Sequence, residues 1–298
     1  MSETPAASPR PEGAVPTPAP TTSTAPPARK ANMNQQRPKA PPVPKKELKV
    51  LMLHGYTQSG PLFRAKTRAL EKLLIKTLNP QTTSLTLTYP TAPIRLRATD
   101  IPGYAPPAPA DGATADPDDE IDSWAWFRRD HPAAPTLRGL DLGMSAVASA
   151  IAEAGGVHGI VGFSQGGALA ALVTAALEKP HREVPAEHAP WVEALRAANG
   201  GEALRFAIIY SGFWMGVDDI AWCYEPKIET PTLHYIGGLD TVVSEERSNA
   251  LVERCEAPLV AAHPGGHYVP ISKEWVMPIA GFMRRFVDVE GEKEEARI

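Results

Sequence analysis

The sequence predicts an α/β fold: a mostly parallel central sheet of about six strands with helices on both faces. Three observations predict it. Strand-like and helix-like segments alternate along most of the chain. Several of the strand-like runs are apolar throughout, as in ELKVLMLHG and HGIVGF, which is the pattern of strands covered on both faces. One of them runs through Gly162-Phe163-Ser164-Gln165-Gly166 directly into a helical segment.

The elements follow in order. The first strand ends at His54-Gly55, and PLFRAKTRALEKLLIKTL then has apolar residues at helical spacing, with Pro61 in its first turn and Asn79-Pro80 closing it. SLTLTYP, 84–90, alternates as a strand. Residues 91–135 are rich in Pro, Ala and Asp and are expected to form a long lid or binding loop carrying Trp124, Trp126 and Phe127. A helix ending at Gly155-Gly156, the strand HGIVGF and a helix from Gln165 to about Glu178 come next. Residues 180–201 read as a polar, partly helical insertion. LRFAIIYSGF is a strand, followed by a loop with Phe213, Trp214, Trp222 and Tyr224. PTLHYIGGLD is a strand, SEERSNALVERC a helix, APLVAAH a short strand and ISKEWVMPIAGFMRRFVDV the last helix.

Composition limits the function classes. Of 298 residues, 43% are hydrophobic, ample for a large core. Residues 1–46 hold 12 of the 32 prolines and no Leu, Ile or aromatic residue, so they cannot bury enough surface to offset the entropy of ordering. They are expected to be a disordered tail, with the folded α/β domain at 47–290. The tail carries +5 and the remainder −9 of the net −4. A mildly acidic body without a basic stripe gives no reason to expect nucleic-acid binding. With no signal-peptide core, no run of about 18 apolar residues and only two cysteines, Cys223 and Cys255, read as free thiols, the expectation is a cytoplasmic protein without a membrane span.

Ser164 stands where a strand turns sharply into a helix, the context in which G-x-S-x-G lifts a serine hydroxyl out of a sheet. The competing role is a helix cap for the segment that begins at Gln165. A nucleophilic serine needs a histidine to take its proton and a carboxylate to orient that histidine. In the order Ser, acid, His, two downstream strand ends meet the demand: Asp240 in HYIGGLD and His267 in HPGGHYVP. His263 competes as base, although it closes its strand more directly and lacks glycines on its N-terminal side. Asp218 and Asp219 compete as the acid from a different strand end. An oxyanion needs two backbone donors. Gln165 is one, and the loop after the first strand supplies the other through Tyr56, with Thr57 as its rival. His54 is expected to stabilise that loop through hydrogen bonds, and His234 to be a core histidine. Trp124, Trp126, Phe127, Phe213 and Trp214 either line an acyl pocket or pin the loops to the body.

Together LMLHGYTQSG, GIVGFSQGGALAALV, AIIYSGF, PTLHYIGGLDTVVS and HPGGHYVP resemble the fungal and animal family of serine hydrolases that includes ovarian cancer-associated protein 2. The resemblance runs from about Lys49 to about Phe286. It implies an α/β-hydrolase fold, esterase or thioesterase activity, and Ser164, Asp240 and His267 as the triad. Some fungal members are thioesterases that release or edit polyketide products on carrier proteins. The substrate expected is a small-molecule ester or thioester of medium to long acyl chain, with no cofactor and no metal. The alternatives are a thioesterase of that carrier-protein kind and a non-catalytic small-molecule-binding hydrolase-like protein, and the segment PPVPKK, 41–46, is a candidate polyproline ligand for a partner.

Overall fold

The structure, a computed structural model, describes residues 45–101, 103, 121–129 and 136–287. All belong to one unit, Val43–Ile298. The tail expected at residues 1–46 lies outside the described residues except for Lys45 and Lys46, as does much of the stretch 91–135.

Six strands form one parallel sheet: β1 (Lys46–Leu53), β2 (Thr83–Thr88), β5 (Gly159–Phe163), β6 (Phe206–Tyr210), β7 (Thr232–Gly237) and β8 (Leu259–His263), in the spatial order β2-β1-β5-β6-β7-β8. Strand β1 lies between β2, with Leu48 opposite Leu85, and β5, with Leu51 opposite Ile160. The chain therefore leaves β1 toward one edge and returns on its other side. Such a reversal opens a crevice at the C-terminal ends of the strands, where ligands bind in open α/β sheets.

Side chains on successive strand residues point to opposite faces, and this alternation builds two cores. Leu48, Val50 and Met52 of β1, Val161 and Phe163 of β5, and Phe206, Ile208 and Tyr210 of β6 pack on one face. That face is covered by α1 (Gly60–Thr77) and α6 (Lys273–Arg284). Leu51, Leu53, Ile160, Ala207 and Ile209 point to the other face, under α2 (Leu140–Glu153), α3 (Gln165–Leu177) and α4 (Ala189–Ala198). Helix α5 (Glu245–Val252) follows β7.

Local sequence explains the helix ends. Ser59 caps α1 by accepting from the Leu62 N–H, and Pro61 sits in the first turn. Its buried residues Phe63, Thr67, Leu70 and Leu74 recur at intervals of three and four. Helix α2 stops where Gly155 and Gly156 take positive φ. Every residue of α3 is buried, so its helical face cannot be read from an apolar stripe.

Two segments differ from the sequence expectation. Residues 91–135 are not one structureless loop. Within them β3 (Ile94–Arg95) pairs antiparallel with β4 (Trp124–Ala125), and a 3₁₀ turn spans Ala98–Asp100. Strands of two residues carry too little periodicity to be seen in a sequence. The loop after β6 contains a second 3₁₀ turn, Asp218–Cys223. Cys223 and Cys255 are both free and buried. No helix among the described residues is long and apolar enough to cross a membrane.

Candidate active site

Ser164 joins β5 to α3 with φ 54° and ψ −116°, a backbone conformation that L-residues rarely adopt. Its neighbours allow the turn only as glycines. A Cβ on Gly162 would stand 2.2 Å from the Gly166 carbonyl oxygen, and one on Gly166 would stand 2.3 Å from that of Leu53. The Ser164 N–H donates to the Tyr210 carbonyl at 2.8 Å, tying the turn to β6. The side chain makes no helix-capping hydrogen bond. It faces His267 instead.

His267 and Asp240 come from the loops after β8 and β7, and both reach back to Ser164. His267 Nε2 lies 2.9 Å from Ser164 Oγ, and His267 Nδ1 lies 2.7 Å from Asp240 Oδ2. A carboxylate only accepts, so Nδ1 carries the proton and Nε2 accepts from the serine hydroxyl. The Asp240 side chain is almost wholly buried. Its Oδ1 accepts from the N–H groups of Val242 and Val243, each at 2.9 Å. Burial alone would raise the Asp240 pKa; the bond from His267 and those two N–H donors outweigh it and hold the carboxyl below its ordinary range.

The rival side chains point elsewhere. His263 is buried at the end of β8, accepts from the Gly265 N–H at 3.2 Å and stacks edge-on against Tyr268 and Trp275. Asp218 and Asp219 open the 3₁₀ turn after β6. His54 is fully buried: Nδ1–H donates to the Gly55 carbonyl at 2.8 Å and Nε2 accepts from the Ala92 N–H at 3.0 Å. Burial pushes its pKa down to about 4, against the weaker opposing effect of the Gly55 carbonyl. Its role is to fasten the loop after β1 to residue 92.

In that loop the Thr57 N–H donates to the Trp124 carbonyl at 3.1 Å, and the Gly55 N–H to Gln58 Oε1 at 3.1 Å. Thr57 is thereby spent as a donor, whereas the Tyr56 N–H and the Gln165 N–H have no acceptor among the described residues. Both residues border the same cavity as Ser164. The side chain of Gln165 holds the neighbouring backbone: Oε1 accepts from the Trp126 N–H and Nε2 donates to the Phe127 carbonyl, each at 2.8 Å. This clamp fixes the first turn of α3 against the segment after β4.

The cavity has a volume of about 290 Å³, near the lower limit for small-ligand sites. Phe127, Leu137, Phe213, Met215, Val242 and Val243 form its apolar wall. Three of the aromatics expected in a pocket are elsewhere. Trp126 is fully buried in the core beneath it, its Nε1 donating to the His54 carbonyl at 2.9 Å. Trp124 donates from Nε1 to Asp122 at 2.8 Å. Trp214 lies under the Arg254 guanidinium, 3.6 Å from its ring centroid. Of the expected residues, Phe213 and Phe127 reach the cavity, and the others pin loops. A composition-biased segment shows that aromatics are present but not which way they face.

Arg128, Arg129 and Arg247 also line the cavity, and the sequence reading passed over all three. A lone arginine in a loop or a polar helix has no sequence signal that separates it from a solvated one. Among the described residues no cluster of three or more His, Cys, Asp or Glu side chains is arranged to hold a metal ion.

Comparison with known proteins identifies the family and the fold. The family model described as serine hydrolase (FSH1) matches residues 44–279. Esterase OVCA2 of Xenopus tropicalis is 34% identical over 236 residues, covering 76% of this chain and 87% of that protein. A dihydrofolate reductase of Schizosaccharomyces pombe is 30% identical over 253 residues, 80% of this chain but 47% of the relative. The chain thus spans about half the length of that relative, and likewise of a fission-yeast uncharacterised hydrolase. The crystal structure of Arabidopsis thaliana SOBER1 superposes with a TM-score of 0.50 at 20% identity, covering 81% of this chain and 99% of that one, a likeness of fold. With the family model spanning most of its length, the chain belongs to the FSH1 serine hydrolase family.

Proposed function

We propose that the protein is a serine esterase or thioesterase that works through an acyl-enzyme on Ser164, with Ser164, His267 and Asp240 as its catalytic triad. The observation that carries this reading is the continuous hydrogen-bonded chain from Ser164 Oγ through His267 to Asp240, with distances of 2.9 and 2.7 Å. His267 takes the proton as Ser164 attacks the carbonyl carbon, and Asp240 stabilises the imidazolium. The N–H groups of Tyr56 and Gln165 receive the developing oxyanion, aided by the N-terminus of α3. His267 then protonates the departing alcohol or thiol. A water deprotonated by the same histidine releases the acid and restores the serine.

The apolar wall of Phe127, Phe213 and Met215 is the acyl side of the site. Its modest size shifts the expected chain length from medium and long toward short and medium. Labelling by a fluorophosphonate, read by peptide mass spectrometry, tests the reading: wild type labels at Ser164 and Ser164→Ala does not. A folded wild-type protein that takes no label would leave a non-catalytic binding protein as the better account. An ester and thioester series from two to ten carbons then fixes the chain length and the leaving group.

A further inference from the structure

The cavity at Ser164 is lined by three guanidinium groups and, among its described lining residues, no carboxylate. This positive lining stands out in a chain whose net charge is −4. The three arginines are held differently. Arg128 donates from Nη2 to Asp100 Oδ1 at 2.6 Å, which offsets its charge. Arg129 donates from Nη1 to the Met215 carbonyl at 2.8 Å. Arg247, on the first turns of α5, lies over the ring of Phe213 with its guanidinium carbon 4.3 Å from the centroid.

No carboxylate among the described residues is within ion-pairing distance of Arg247. Asp240 is close enough to be felt, yet both of its oxygens are committed, to His267 and to the N–H groups of Val242 and Val243. Stacking on an aromatic face holds the planar guanidinium while its edge of N–H donors remains in the plane to bind an oxyanion bidentately. The apolar wall beside it strengthens such a contact, and the exposure of Arg247 makes the contact sensitive to salt.

We infer that Arg247 is a specificity-determining residue, and that the preferred substrates carry an oxyanion, a carboxylate or a phosphate, that binds it while the scissile carbonyl lies at Ser164. This rests on the esterase reading above. The anion has two sources, the acyl part or the leaving group, and matched pairs separate them. Monoethyl glutarate against ethyl valerate places a carboxylate on the acyl side at equal chain length. The valeryl thioester of 4′-phosphopantetheine against that of pantetheine places a phosphate on the leaving group.

The readout is the ratio of kcat/KM for the charged over the neutral member of each pair, measured on the full chain by pH-stat and thiol release. In wild type the ratio is expected to be about tenfold in one arm, the size of a hydrogen bond to a charged group. Arg247→Gln brings that ratio to about one, Arg247→Lys keeps part of it, and 0.5 M salt lowers it in wild type. A purely structural role of the Phe213 stack would slow both members alike and leave the ratio unmoved. A wild-type ratio of one or less in both arms overturns the inference, as does an unchanged ratio in Arg247→Gln. Failure of both neutral substrates together with absent labelling of Ser164 overturns the esterase reading itself, a result distinct from a lost preference on an active enzyme.

Discussion

Acidification from pH 6.5 to 4.5 is expected to cost this protein about 4 kcal/mol of stability through two histidines alone, before most carboxylates titrate. His54 and His234 are both buried, and burial holds each at about 4 against an ordinary value of 6.5. His54 spends Nε2 as an acceptor for the Ala92 N–H, so a proton there breaks a bond as well as burying a charge. His234 packs its Nε2 beside Thr232 Oγ1 and Cys255 Sγ. The sign follows from linkage. Between about 4 and 6.5 the unfolded chain binds a proton at each site and the folded chain does not, so stability rises with pH across that window and is lost on descent. Each pH unit is worth about 1.4 kcal/mol per group once the unfolded histidine is fully protonated; because it is half protonated at pH 6.5, the two units together are worth about 2.2 kcal/mol per histidine. That is a large part of a typical domain stability of about 5–15 kcal/mol.

His263, also lowered by burial, adds in the same direction. Asp240, held below its ordinary range, contributes stability that is lost only at more acid pH, outside this window. Urea unfolding at half-unit steps between pH 6.5 and 4.5 gives the slope. His54→Leu and His234→Leu should each reduce it by up to about 1.4 kcal/mol per pH unit, whatever fixed cost they carry. A wild-type slope retained in either variant would refute the claim that burial keeps that histidine neutral.

Four other outcomes are expected. Gly162→Ala, whose Cβ would meet the Gly166 carbonyl oxygen at 2.2 Å, should lose at least about 3 kcal/mol in thermal unfolding or fail to fold. Asp240→Asn should keep its far-UV circular dichroism and lose about 10⁴ in kcat; a loss below tenfold would return Asp218 and Asp219 to consideration. Trp126→Phe, which leaves the His54 carbonyl without its donor, should cost about 1–3 kcal/mol and leave the acyl chain-length profile unchanged, in contrast to Phe213→Ala, which should alter it. Cys223 and Cys255 should not react with a thiol reagent until the protein unfolds, since burial pushes Cys255 up to about 11 and Cys223 further.

The sheet was legible in the sequence because its central strands are dominated by apolar residues and end in glycine-bearing turns, as at Leu53-His54-Gly55 and Ile236-Gly237-Gly238. The convergence of Ser164, Asp240 and His267 was legible for a related reason. In a parallel sheet every strand-to-helix turn opens on the same edge, so residues at three strand ends are neighbours even when 103 positions separate Ser164 from His267. The small antiparallel pair of β3 and β4 was not legible, because each strand has a single residue on each side of its pleat. Nor was the burial of Trp126. Its place in the core depends on the Gln165 clamp and the His54 carbonyl, contacts across 39 and 72 positions that leave no local pattern. Tyr56 was preferred to Thr57 on position alone; the Thr57 N–H bond to the Trp124 carbonyl is a contact across 67 positions that the sequence does not signal.

Strand β6 brings no side chain to the chemistry, yet it sits between the strand that carries Ser164 and the strand that leads to Asp240. On one side the Tyr210 carbonyl receives the Ser164 N–H, and on the other the Ser211 N–H reaches the Tyr235 carbonyl, each at 2.8 Å. It is a spacer two interstrand gaps wide, about 10 Å from the strand that ends at Ser164 to the strand that leads to Asp240. His267 arrives from the loop after β8, one gap further out, so the spacing of all three residues is the spacing of a backbone ladder.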